Sequence, residues 1–151
     1  MVAFVSHCSE LGWHWSWWKP PWGTLSSLLD RRDNNIQFQE LAGIVLAFCT
    51  LRQELEDCTV TFWQDNQSVL HSMVKGGGKQ PEVNAVVGRV WLSLAEANCL
   101  TQYGRVGSRA NLADSPSRLD LAWVEFLGAM YLPPVVPPWL LDPWIDPLCH
   151  V

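Results

Sequence analysis

Positive charge is scarce in this chain. Of its 151 residues, 10 are Lys or Arg against 15 Asp or Glu, a formal net charge of -5. An autonomous basic nucleic-acid binder is thereby excluded, because no Lys/Arg surplus exists to neutralise phosphates. Charge of either sign is also sparse, at 17% of residues against 48% hydrophobic. That balance excludes intrinsic disorder, which needs low hydrophobicity and high charge. There is no C-x-x-C pair. The five cysteines, Cys8, Cys49, Cys58, Cys99 and Cys149, are scattered and odd in number. They argue against a disulfide framework or a structural zinc site, and for an intracellular setting, cytoplasm or nucleus. No signal peptide is expected, since residues 1–5 are apolar but too few and lack a basic flank. The longest uncharged apolar stretch, residues 126–141, contains Pro133, Pro134, Pro137 and Pro138. It cannot cross a bilayer as a helix, so no membrane partner is expected. No internal repeat is visible.

What is present is enough apolar material for one domain, which at this length buries roughly 70% of its surface. Ten tryptophans are included, five of them between Trp13 and Trp22. Six of the ten prolines fall after Tyr131. The expected organisation is a domain over residues 1–128 and a Pro-rich tail over 129–151, extended and either packed on the body or linking onward.

Residues 2–6 read as a buried strand and residues 13–18 as a second, with aromatics on one or both faces. Alternation sets Trp13, Trp15 and Trp17 on one face, available to a core, a neighbouring domain or nucleic-acid bases. Residues 24–29 read as a third strand, followed by a polar loop over 30–35. From Gln39 the period becomes helical, through Leu41, Ile44, Val45, Phe48, Leu51 and Leu55. Residues 58–64 form a strand ending at Asp65-Asn66, and a short helix follows. Residues 75–79 (KGGGK) read as a flexible, solvated loop. Val83, Val86, Val87, Val90, Trp91 and Leu94 mark an amphipathic helix. Residues 100–106 read as a strand, and a last helix is expected from Asn111 toward Gly128. The order implies an α/β fold with a five-stranded mixed sheet, three antiparallel strands then two parallel, flanked by helices.

Three carboxylates stand at informative positions. Glu40 begins the apolar helix, Asp65 ends a strand, and Asp114 opens the last helix. Carboxylates converging from separate elements suit Mg²⁺ or Mn²⁺. Each also has a plain local explanation, as a helix cap or a partner of the helix dipole.

Three segments resemble the RNase H domain of retrotransposon reverse transcriptases, of the gypsy and DIRS types. They are Gln39-Glu40-Leu41-Ala42, Trp63-Gln64-Asp65-Asn66-Gln67 and the run from Val106-Gly107-Ser108-Arg109-Ala110-Asn111 through Leu112-Ala113-Asp114-Ser115-Pro116-Ser117-Arg118. The resemblance covers about residues 4–123. It implies an RNase H-like fold and an endonuclease that cuts RNA in RNA/DNA hybrids with two Mg²⁺ or Mn²⁺ ions. It also implies a reverse transcriptase domain in cis or as a neighbour. Glu40, Asp65 and Asp114 become metal ligands and catalytic residues. Asn66, Gln67, Ser108, Arg109 and Asn111 become nucleic-acid contacts.

The first family motif, a strand ending in Asp-Ala-Ser, corresponds here to Ser6-His7-Cys8-Ser9. His7 thus stands where the first catalytic Asp is expected. Neutral imidazole offers one nitrogen and no bridging oxygen, and it removes a negative charge from a site for two dications. Activity is then lost, or Mn²⁺-dependent, or supported by Glu10. A zinc site of His7, Cys8 and His14 is a weaker alternative. The competing class of function is a non-catalytic structural or binding module of a reverse transcriptase polyprotein.

Overall fold

The computed structural model describes residues 1–20 and 32–141, the side chains of 32–36 and 141 excepted. Strand β1 (Val2–Cys8) turns at Ser9-Glu10-Leu11 into β2 (Gly12–Trp18). The two pair antiparallel along their whole length, from Val2 opposite Trp18 to Cys8 opposite Gly12. Gly12 has φ +79, a left-handed conformation that glycine adopts without a Cβ clash. Helix α1 (Arg32–Thr50) packs on β1. Strand β3 (Thr59–Gln64), helix α2 (Gln67–Lys75), helix α3 (Pro81–Glu96) and strand β4 (Leu100–Arg105) follow. β3 and β4 are parallel, as their helical crossover requires, in register from Thr59–Leu100 to Gln64–Arg105.

Among the described residues the strands form two sheets, not one of five strands. β3 and β4 make one. The other is β1-β2-β5, in which β5 (Met130–Tyr131) pairs parallel with β2. The mixed α/β class holds. The expected third antiparallel strand, residues 24–29, lies outside the described residues. On the free side of β2 stands β5, a strand that periodicity does not reveal. It is two residues long, and long-range bonds hold it there: Leu132 N–H donates to Trp15 O at 2.9 Å, and Ser16 Oγ–H to Leu132 O at 2.7 Å.

The main core lies between α1 and its neighbours. Leu41, Val45 and Leu46 of α1 meet Val2 and Phe4 of β1, Val69 and Met73 of α2, and Val86, Val87 and Val90 of α3. The tail joins it. Leu140 is fully buried there, and Leu132, Val136 and Trp139 pack against it. The Arg89 guanidinium lies 5.1 Å from the Trp139 ring centroid, a cation–π contact. The opposite face of sheet β1-β2-β5 is covered too, with Trp15 buried and its ring 5.0 Å from Tyr131.

Three expectations need correction. α1 starts at Arg32, inside the stretch read as a polar loop, so the weak helix formers Asp33, Asn34 and Asn35 are carried by the helix that follows. The single last helix is instead a 3₁₀ turn (Ser108–Ala110), α4 (Asp114–Ser117) and α5 (Ala122–Phe126). Leu119 at φ +63 breaks the run, and Asp120 Oδ1 accepts from Ala122 N–H at 3.2 Å to start α5. The glycine loop is pinned, not loose. Gly77 N–H donates to Ser72 O at 2.8 Å, and Gly78 N–H to the Asn84 side chain. A Cβ on Gly77 would sit 2.8 Å from Asn84 Oδ1. The described residues end with α6 (Pro138–Leu141), and no helix among them is long and apolar enough to cross a membrane.

Candidate active site

β1 and β3 are the facing edges of the two sheets, and a cleft of about 830 Å³ opens between them. Its polar end is lined by His7 from β1, Glu40 from α1, Asp65 at the end of β3, and Asn111 and Asp114 from the segment before and into α4. Glu40 lies in the third turn of α1, too far in for a first-turn dipole partner. Asp65 does not cap α2. That role belongs to Asn66, whose Oδ1 accepts from Ser68 N–H at 2.9 Å and Val69 N–H at 3.3 Å. The local explanations for Glu40 and Asp65 therefore fall away. Asp114 keeps a local partner: it opens α4 and pairs with Arg118 one turn on, at 3.0 Å.

Gln64 is the residue that sequence reasoning passed over. It is buried, and its Nε2 donates to Glu40 Oε2 at 2.9 Å. Its signal was available: Val60, Phe62 and Gln64 alternate toward the core side of β3, and an amide at the last inward position needs a partner. Burial pushes the Glu40 carboxyl above its ordinary range. The Gln64 hydrogen bond opposes this, and the charges of Asp65 and Asp114 add to the rise. Two carboxylates from other parts of the chain thus reach Glu40 with their charge across the cleft.

His7 is exposed, with its ring centroid 4.6 Å from that of Trp13, its cross-strand partner. His14 pairs with Ser6 and so points to the other face of the hairpin. The alternative zinc site of His7, Cys8 and His14 is excluded by that geometry. Glu10 sits in the exposed turn and does not line the cleft. Gln67, Ser108 and Arg109 are exposed outside it, while Asn111 lines it and its Oδ1 accepts from Ala113 N–H at 3.2 Å.

The donor set suits a hard dication. Asp65 Oδ1 is buried without a hydrogen-bond partner, an acceptor left to be satisfied. Among the described residues, no three His, Cys, Asp or Glu groups are drawn together around one point. Ion binding by these residues would therefore require side-chain movement, and Asp114 would have to leave Arg118. No protein-family model, curated protein or solved structure matches the chain.

The raised Glu40 carboxyl has a testable consequence. The folded state holds this proton to higher pH than the unfolded state does. Stability is therefore lost as pH rises from the ordinary carboxylate range through the raised value, and the loss is constant above it. Glu40→Gln keeps an acceptor for Gln64 and removes the charge. In metal-free buffer the variant is expected to melt higher than wild type, by a margin that opens with rising pH and then levels. A pH series of thermal unfolding curves reads this directly, and a margin independent of pH would contradict it.

Proposed function

We propose that this chain is a ribonuclease H-type endonuclease, cutting the RNA strand of an RNA/DNA hybrid at a site made of Glu40, Asp65, Asp114 and His7. The observation that carries the reading is that these residues, from four separate parts of the chain, line one cleft. Their order along the chain is that of the RNase H-like pattern they resemble, and β1, α1, β3 and β4 follow in the order which that fold implies. Bound Mg²⁺ or Mn²⁺ would supply an activated water and stabilise the leaving oxygen. Glu40, Asp65 and Asp114 would hold the ions by hard oxygens, with Gln64 fixing the orientation of Glu40. His7 would lend one neutral nitrogen in the fourth position. The reading further implies a reverse transcriptase domain, in cis or as a neighbour, to bring the hybrid to a chain of net charge -5. It also carries an intracellular setting.

A second reading is favoured by His7 and by the Asp114–Arg118 pair: a module that binds or scaffolds and does not cut. The test incubates an end-labelled hybrid with the protein in Mg²⁺ and separately in Mn²⁺. Cleavage of the RNA strand that disappears in Asp65→Asn supports the enzyme. No cleavage in either metal, by wild type or by His7→Asp, leaves only the scaffold. Metal binding has its own readout. At a concentration about a hundredfold above its dissociation constant, an ion stabilises the fold by about 2.7 kcal/mol. At this size that is about 5–10 °C in Tm, and Asp65→Asn is expected to lose most of it.

A further inference from the structure

We propose that Trp63 is a stacking platform for a nucleobase of the bound nucleic-acid strand, seated by Gly104. The inference rests on the nuclease reading above, which supplies the ligand class. Trp63 lies two residues before Asp65 and lines the same cleft as the carboxylates. It is 64% exposed, although it belongs to a regular strand within the sheet β3-β4. It stands on the outward face of β3, opposite Gly104 in register. A Cβ on Gly104 would lie 2.6 Å from Trp63 Cε3 and Cζ3, so the six-membered half of the indole rests where any other residue would place its side chain.

This arrangement has a physical logic. One side of the ring is supported by backbone, which limits its rotamers. Most of the rest is open to solvent. A large apolar ring costs free energy in that position unless something covers it. Bases offer a π-face whatever their identity, and one stacked base is held without sequence preference. Across the cleft mouth the His7–Trp13 ring pair supplies a second aromatic wall. Exposed Arg109 lies on the segment that leads to Asp114, while Arg105 pairs with Gln64 and so belongs to the other face of the sheet. A strand whose backbone reaches the carboxylates in this cleft would bring a base over Trp63. Gly104 is then a positioning residue, acting through the ring it seats.

The experiment measures fluorescence anisotropy of a fluorescein-labelled RNA/DNA hybrid, and of a labelled single-stranded DNA, with full-length protein in Ca²⁺ so that binding is read without cleavage. Trp63→Ala is expected to weaken binding by about tenfold. Trp63→Phe should recover most of the loss, and Gly104→Val, which displaces the ring, should reproduce it. Leu100→Ala removes another exposed apolar side chain from the same sheet face and is expected to change nothing. Equal affinity for Trp63→Ala and wild type overturns the proposal, as does an equal loss in Leu100→Ala. Cleavage separates this from the catalytic reading. A wild type that cuts the hybrid while Trp63→Ala binds normally keeps the nuclease and sinks the platform. A wild type that never cuts, with binding lost in Trp63→Ala, does the reverse. Absence of any binding by wild type sinks the platform as well.

Discussion

Replacing His7 by Asp is expected to raise hybrid cleavage in Mg²⁺ by about 10²–10³-fold, the scale of one preorganised charge at a reacting centre. On the proposed nuclease reading, an imidazole at position 7 would stand where a site for two dications gains most from an anionic, bridging oxygen. Its place at the exposed end of β1 means that an Asp there disturbs no buried packing. What it does disturb is charge. A fourth carboxylate in the same cleft adds repulsion where burial, and to a lesser degree Asp65 and Asp114, already hold the Glu40 carboxyl above its ordinary range. The metal-free variant should therefore melt below wild type and regain stability in Mg²⁺ or Mn²⁺. That opposite movement of Tm, with and without metal, distinguishes a restored ligand from a changed surface charge. Rate and Tm that both stay at wild-type values would show that position 7 is outside the metal site.

The second large effect concerns the tail. Leu140→Ala is expected to cost about 2–5 kcal/mol, the usual range for a fully buried leucine. Against a total stability of about 5–15 kcal/mol, that is a large share, and Tm should fall by about 4–20 °C. Ending the chain after residue 128 removes Leu132, Val136, Trp139 and Leu140 from the core together, and β5 with them. That shortened protein is expected to lose its cooperative melting transition and its near-UV circular dichroism. If it melts as sharply as the full chain, the tail is an appendage and the contacts of Leu140 contribute little. The Arg89–Trp139 contact is one part of this anchoring, and Trp139→Ala should reproduce a fraction of the loss.

Much of this arrangement is legible in the sequence wherever a local pattern decides it. The periods of Leu41 to Leu55 and of Val83 to Leu94, and the β-branched run before Asp65, place α1, α3 and β3, except for the first turns of α1 and its end, which comes at Thr50 and not at Leu55. Asp65 is legible as a site residue because Asn66, beside it, is the better cap. The rest depends on contacts that no local pattern carries. β5 exists because Trp15 and Ser16 offer bonds to a residue 116 positions away from Ser16. The break at Leu119 follows from how α4 and α5 each close their ends. Gln64 escaped notice because its importance lies in Glu40, 24 residues earlier. The division into two sheets likewise depends on the pairing of strand edges, which alternation within a strand does not specify.

The pairing of β5 with β2 also bears on how the chain is made. The hairpin β1–β2 emerges from the ribosome before β5, which pairs with it and is translated more than a hundred residues later. At about 5–20 residues per second, the tryptophan-rich edge of β2 waits several seconds or more without its partner. During that interval the two positions of β2 that β5 takes up lack that partner, beside large aromatic faces, the kind of surface that recruits other chains.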